Sequence, residues 1–295
     1  MQLNELKLEL RLNSDLVELV DTLKNIAAAQ YFLLERSKLR FEDFMDAFSE
    51  FFRVVDLVDV DNPLVKTKSD HLGIIIVTSD SGFMGGLNQG VIRKAMSVQG
   101  DLPDHKTTLI VVGEKGAGVL QDQGRDYKFF QGVHQTTIYE QAVELRDYLT
   151  EEVKQKRIGR VAIVYPRPVS FTTQTTEVVD LLPCGQLFDR SADTEVSRHA
   201  KRFNLIADSQ KVIVESSYAD LVAHLASTWV ESKLYEVYED SKIAEFSARA
   251  MHLEGSFQKL EEEKAKLQHE TFKAIHTKID KGMRESYAAL IKNRR

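Results

Sequence analysis

Apolar side chains in the first 55 residues recur at helical intervals. Leu12, Leu16, Leu19, Leu23, Ile26, Gln30 and Leu33 follow a 4-3-4-3 spacing, and after Ser37 the stripe continues as Phe41, Phe44, Phe48, Phe51 and Val55. Sustained over about six heptads, this spacing predicts the buried seam of a coiled coil. Gln30 and Ser37 read as its polar interruptions, and Ala27-Ala28-Ala29 as a patch where another helix approaches closely. Near the other end, Phe246, Ala250, Leu253, Phe257, Leu260 and Leu267 share the spacing, with Lys264 as the polar exception. Beyond Leu267 the steps become Thr271, Ile275, Ile279 and Met283, four apart each time. Repeated steps of four relax a left-handed supercoil.

Between these ends the period changes. Strands are expected over His71–Thr78, Thr107–Val112, Asp126–Gln131 and Arg160–Tyr165, the last ending before Pro166. Phe171–Leu181 alternates, is rich in threonine and reads as an edge strand. Helices are expected over 86–98, Ala117–Gln123 and Thr137–Lys156, and Trp229 is expected to pack the C-terminal helix onto the sheet. Strands alternating with helices imply a mainly parallel sheet. The fold class is therefore α/β: a central Rossmann-like domain plus a long antiparallel coiled coil formed by the N- and C-terminal helices. The expected divisions are 1–62 and 207–295 for the coil and 63–206 for the α/β domain.

Composition sharpens this division. All five prolines lie between Pro63 and Pro183, and thirteen of the fifteen glycines between Gly73 and Gly185. The ends are thus almost free of residues that break helices. Residues 1–60 carry twelve acidic and seven basic side chains, whereas residues 259–295 carry ten basic and six acidic, so the two ends have opposite charge. The overall net charge of −6 argues against nucleic-acid binding. A single cysteine, Cys184, excludes a disulfide framework and a cysteine metal cage. No run of 18 apolar residues is present, and the first residues have neither signal-peptide nor transit-peptide character.

Candidate chemistry is sparse. The segment Val77-Thr78-Ser79-Asp80-Ser81-Gly82-Phe83-Met84-Gly85-Gly86-Leu87-Asn88 follows a strand and opens a helix, where a phosphate could bind. Its glycine spacing departs from G-x-G-x-x-G, so a structural turn or partner-facing loop is the preferred reading. Gly113-Glu114-Lys115-Gly116-Ala117-Gly118 also looks phosphate-like, but Val119 and Leu120 stand where a Walker loop needs lysine and serine or threonine. His269 and His276 are seven apart, two turns along one face, which is a poor zinc spacing. No nucleophile elbow occurs, and no catalytic residues, cofactor or metal are expected.

The order helix, α/β domain, helix, with V-T-S-D-x-G-x-x-G-G-L-N at Val77–Asn88, resembles the gamma subunit of F-type ATP synthases. Ile26-Ala27-Ala28-Ala29, Gly113-Glu114-Lys115-Gly116, Val230-Glu231-Ser232 with Tyr235, and Glu245-Phe246-Ser247-Ala248-Arg249 are similar to further stretches of that family. The resemblance implies a non-catalytic rotor, the central stalk that couples ion flow to ATP synthesis or hydrolysis on its partners. It would be present as a single copy per complex, inside an alpha/beta hexamer, beside the epsilon subunit and on the membrane c-ring. With no transit-like segment in the first residues, the expected location is peripheral, on the cytoplasmic face of the bacterial inner membrane. The residues carried over as partner contacts are Ser79, Asp80, Gly82, Met84, Gly85, Gly86, Leu87 and Asn88 of the loop, Glu245 and Arg249, and Ile275 and His276.

Several positions depart from the family pattern. Ser81 stands where the family has arginine, and Phe83-Met84 where it has Leu-Cys. Glu18 and Asp21 make the first helix acidic where the family is basic. Ile275-His276 falls on the family's Arg-Gln catch, and the end from Ile291 to Arg295 is basic rather than small and apolar. These changes suggest an alternate rotary ATPase with co-varied partners. The competing readings are a gamma-derived scaffold or adaptor without rotation, and a Rossmann-like enzyme with helical arms.

Overall fold

The computed structural model describes residues 3–54, 62–67, 69–100, 102–103, 106–184 and 217–292. Two long helices bound the chain: α1, Leu3–Val54, and α5, Tyr218–Lys292. Between them come β1 (Leu72–Val77), α2 (Leu87–Gln99), β2 (Thr107–Val112), α3 (Glu114–Asp122), β3 (Lys128–Phe130), α4 (Ile138–Lys154), β4 (Arg160–Ser170) and β5 (Thr173–Leu182). Two compact units result, one of residues 28–249 and one of residues 1–27 with 250–295.

The larger unit is built on a five-stranded sheet of order β3-β2-β1-β4-β5. The first four strands are parallel and β5 is antiparallel at the edge. β1 is central and buried along its whole length, which is why Leu72–Val77 is an unbroken apolar run rather than an alternating one. On one face α2 and α3 pack Val91, Ile92, Ala95 and Leu120 against Ile74, Ile76, Val111 and Val164. On the other, α4 supplies Ala142, Leu145 and Leu149, and α5 supplies Val230, Leu234, Val237 and Trp229, as expected for the tryptophan.

Two local expectations are corrected. β4 does not stop at Pro166 but runs through Pro166 and Pro168, paired with β5. Its pairing with β1 ends at Val164, so beyond that point β4 has a neighbour on one side only. A strand edge tolerates proline because no ladder donor is lost there. Helix α3 begins at Glu114 rather than Ala117, because Asp80 accepts the Glu114 N–H there.

In the larger unit α1 meets α5 in antiparallel sense. Tyr31 and Leu34 cluster with Ile243 and Phe246, while the Ser37 hydroxyl donates to Glu239 at 2.9 Å and Lys38 pairs with Asp240 at 2.7 Å. In the smaller unit Leu6, Asn13 and Val17 of α1 are buried, as are Leu253, Leu267 and Thr271 of α5. Lys24 reaches Glu254 at 3.1 Å and lies over the Phe257 ring. The C-terminal seam is therefore the expected one as far as Ile275, whereas Ile279 and Met283, the next expected positions, are exposed.

The N-terminal seam is not. Leu12, Leu16, Leu19, Leu23, Ile26 and Leu33 are all exposed. The residue after each is turned inward instead: Asn13, Val17, Ala27 and Leu34 are buried and Val20 and Lys24 half-buried. One residue is about 100° around a helix, so the richer stripe lies beside the seam rather than in it. Gln30 lies beside the buried Ala27 and Tyr31 rather than among them, and the polar positions of the α1 seam include Asn13, Lys24 and, as expected, Ser37. The side chains of Phe41, Phe44, Phe48, Phe51 and Val55 lie outside the described residues, as does the basic end.

Candidate partner-contact surfaces

Asp80 organises the loop after β1. Its Oδ1 accepts the backbone N–H of Glu114 at 2.9 Å and that of Gly132 at 3.2 Å. The first of these bonds satisfies a donor at the start of α3, so a carboxylate from a neighbouring segment caps that helix. The glycines of the Gly113–Gly116 turn answer to Thr78. A Cβ on Gly113 would stand 2.3 Å from the Thr78 carbonyl oxygen, and one on Gly116 2.5 Å from its hydroxyl. The Thr78 hydroxyl accepts Gly116 N–H at 2.9 Å and donates to Val112 at 2.8 Å. The phosphate-like appearance of this turn thus has a packing cause, and the anion at the helix start is the chain's own.

Ser79 and Asn88 tie the two ends of the loop together. Asn88 Nδ2 donates to Ser79 Oγ at 2.8 Å, and Ser79 N–H donates to Asn88 Oδ1 at 3.2 Å. Gly82, Gly85 and Gly86 are exposed between these anchors. Met84 is turned into the chain, only 5% exposed. Phe83, noted in the sequence only as a departure from the family pattern and not among the contact residues, projects into solvent at 65% exposure and holds a left-handed backbone with φ 64°. That conformation is uncommon for a bulky residue. Its signal in the sequence was a phenylalanine set between glycines, where no core can form around it.

The loop's inner side meets α5. Val77, Thr78, Ser79, Leu87 and Asn88 line one pocket with Pro166, Ser241, Lys242 and Glu245. This crevice lies at the carboxyl ends of β1 and β4, where an open α/β sheet usually takes its ligand. Here it has shrunk to about 10 Å³, far below the several hundred Å³ of an ordinary small-molecule site. Glu245 is buried with both oxygens engaged, by Lys242 at 2.9 Å and Arg249 at 2.6 Å. The structure thus brings Ser79, Leu87, Asn88 and Glu245 together, and Arg249 joins them through Glu245. Ile275 and His276 belong to the smaller unit, the first half-buried and the second exposed. Among the described residues no cluster of three or more metal-ligating side chains occurs.

The smaller unit presents the second surface. Leu8, Leu12, Leu16, Leu19, Leu23 and Ile26 form an outward apolar band on α1. On α5, Ile279, Met283, Tyr287 and Leu290 are likewise exposed.

A family model for ATP synthase matches residues 2–285. The ATP synthase gamma chain of Desulforudis audaxviator is 27% identical over 205 residues, covering 67% of this chain and 66% of the relative. That of Thermosynechococcus vestitus is 27% identical over 209 residues, covering 65% and 66%. This chain belongs to the ATP synthase gamma-chain family. It spans just under two thirds of the length of these curated relatives in the matched region. Solved structures agree in fold. The central stalk and c-ring structure of the Tetrahymena thermophila mitochondrial ATP synthase contains a chain matched at a TM-score of 0.60 and 16% identity, covering 81% of this chain and 99% of that one. A chain of the Euglena gracilis mitochondrial rotor matches at 0.61 and 15% identity, covering 94% and 98%. Among the described residues no helix is long and apolar enough to cross a membrane.

Proposed function

We propose that this gamma-family chain is the central-stalk rotor of an F-type rotary ATPase. It turns within a hexamer of alpha and beta subunits, beside an epsilon subunit and on a membrane c-ring. It works as a single, non-catalytic copy, peripheral to the cytoplasmic face of the bacterial inner membrane. The observation that carries this reading is the outward leucine band of the smaller unit. A pair of helices that keeps its richest apolar face outside is built to turn against an enclosing partner wall. Exposed apolar patches of this kind mark interaction sites. The likeness to rotor and central-stalk structures supports the same reading.

The loop Ser79–Asn88 is one contact with the stator, presented by its Ser79–Asn88 clasp and capped by Phe83. Gly82, Gly85 and Gly86 allow a partner backbone to approach closely, Asp80 and Met84 hold the loop's shape, and Leu87 seats it on the domain. Glu245 and Arg249 form the adjoining α5 part of that contact. Ile275 and His276 form a second one, an apolar side chain and an imidazole in place of the family's arginine and glutamine. That change fits an alternate ATPase whose partners have co-varied. The test is affinity purification of the tagged chain from its native host, with an ATPase assay. Recovery of stoichiometric alpha-like and beta-like subunits with ATPase activity supports the rotor. Recovery of unrelated partners supports the scaffold reading instead.

A further inference from the structure

The smaller unit carries two apolar faces that none of the described residues covers, and they are complementary. The band on α1 is leucine-rich, and from Leu12 to Ile26 it keeps the 4-3-4-3 spacing of a coiled-coil seam. A surface with that spacing accepts another helix, knobs into holes. Residues 3–27 around it carry five acidic and three basic side chains, and one of the bases, Lys24, is already held by Asp21 and Glu254. Residues 276–292 of α5 carry Lys278, Lys281, Arg284 and Lys292 against Asp280 and Glu285. They present Ile279, Met283, Tyr287 and Leu290 to solvent at 48–68% exposure. One helix is acidic and lacks a partner on its leucine face. The other is basic and, among the described residues, has no helix packed on it after Ile275. Their lengths also agree, since Leu8–Leu23 and 276–292 each rise about 24 Å.

We propose that before it enters its complex the chain forms a twofold dimer, in which the α5 tail of each copy lies along the α1 leucine band of the other. The tips of the two antiparallel helix pairs overlap, so each tail runs parallel to the partner's α1. The contact is self-complementary, as twofold symmetry requires. Each copy brings ten large apolar side chains that are between 38% and 68% exposed. These supply on the order of the 800 Å² per partner that a stable interface needs. Opposite charges along the two faces set the pairing of band with tail rather than band with band. The dimer masks surfaces that would otherwise aggregate, and it must separate before a stator can enclose the same band. The pairing of band with tail rests on the two faces alone, and only the later separation rests on the rotor reading.

Sedimentation velocity on the purified full-length chain between 1 and 100 µM tests it. A reversible monomer–dimer equilibrium is expected. Leu16→Lys and Met283→Glu should each raise the dissociation constant at least tenfold, with unchanged helicity by circular dichroism. The two together should recover at least part of the loss. A chain that stays monomeric at 100 µM overturns the proposal. So does a dimer insensitive to Met283→Glu, which would mean that bands pair with each other. If either variant loses helicity, mixed Leu12→Cys and Met283→Cys chains decide under mild oxidation. A disulfide between the two kinds of chain supports the pairing, and disulfides within one kind only overturn it. Buried Cys184 does not compete.

Discussion

Asp80 takes the Glu114 N–H on one carboxylate oxygen, and with it starts a helix 34 residues further along the chain. A cap supplied from so far away cannot be read as a local N-cap signal. Asp80→Ala should cost about 1 kcal/mol in stability, the usual effect of losing a cap. It should also free the start of α3 for anions. Chemical denaturation with and without phosphate measures both effects. A variant as stable as the parent would show that the bond contributes nothing.

Gly113→Ala should be the more damaging change nearby. Gly113 holds φ 99°, and its Cβ would stand 2.3 Å from the Thr78 carbonyl oxygen. A loss of about 2–3 kcal/mol is expected from strain and the forced shift together. A melting temperature within a degree of the parent would contradict this account of the Gly113–Gly116 turn.

Leu16 and Val17 are neighbours in sequence with opposite environments, 48% and 7% exposed. Val17→Asp should destabilise the chain by more than about 2 kcal/mol, because it buries an unpaired charge in the seam. Leu16→Asp should change stability by about 0.5 kcal/mol or less. It should nevertheless weaken assembly with the stator subunits. Thermal melts of the two variants, followed by reconstitution, separate the inner face from the outer one.

Burial and the nearby Glu35 carboxylate raise the Tyr31 hydroxyl to about 12. Its hydrogen bond to Glu35, 2.8 Å long, needs the protonated form. The folded chain therefore holds this proton more tightly than the unfolded chain, whose tyrosine titrates near 10. The stability that Tyr31 contributes is complete below pH 10 and lost as pH rises from there towards 12. A Tyr31→Phe variant should lose that part of the alkaline dependence, as denaturant titrations at pH 9, 10 and 11 would show.

Cys184 donates to the Leu64 carbonyl oxygen at 3.2 Å, and burial pushes its thiol up to about 12. Only the thiolate reacts, so disulfide reagents at pH 8 should modify it at the rate of unfolding. Rapid labelling in native buffer would contradict its burial.

The sheet was legible because a buried parallel strand leaves a run rich in β-branched residues with no charged side chain, as at Ile74–Val77 and Thr107–Val112. The extent of β4 was not, because whether Pro166 ends a strand depends on its neighbours, and those are set by topology. The face of α1 was misread for a deeper reason. Helical periodicity reports that an apolar face exists but not which partner covers it. Where an outer face carries more leucine than the seam, counting apolar residues selects the outer one. The α5 seam was read correctly because no second stripe competes with it before Ile275. In the loop, Ser79 and Asn88 were found through their motif. Phe83 stood out only as a departure from the motif, and its exposure was not legible in any spacing because it follows from the loop backbone around it.

The one-residue offset between the two faces of α1 also limits how the gene can change. Deleting a single codon between Val17 and Ala27 would turn every earlier side chain by about 100°. The shift would bring Leu12 and Leu16 towards α5 and carry Asn13 and Val17 out of the seam. Point substitutions on the outer face are absorbed one at a time, but a change of length rewrites both faces at once. Drift in this helix should therefore proceed by replacement at constant length, with tolerated insertions confined to the connections between strands and short helices.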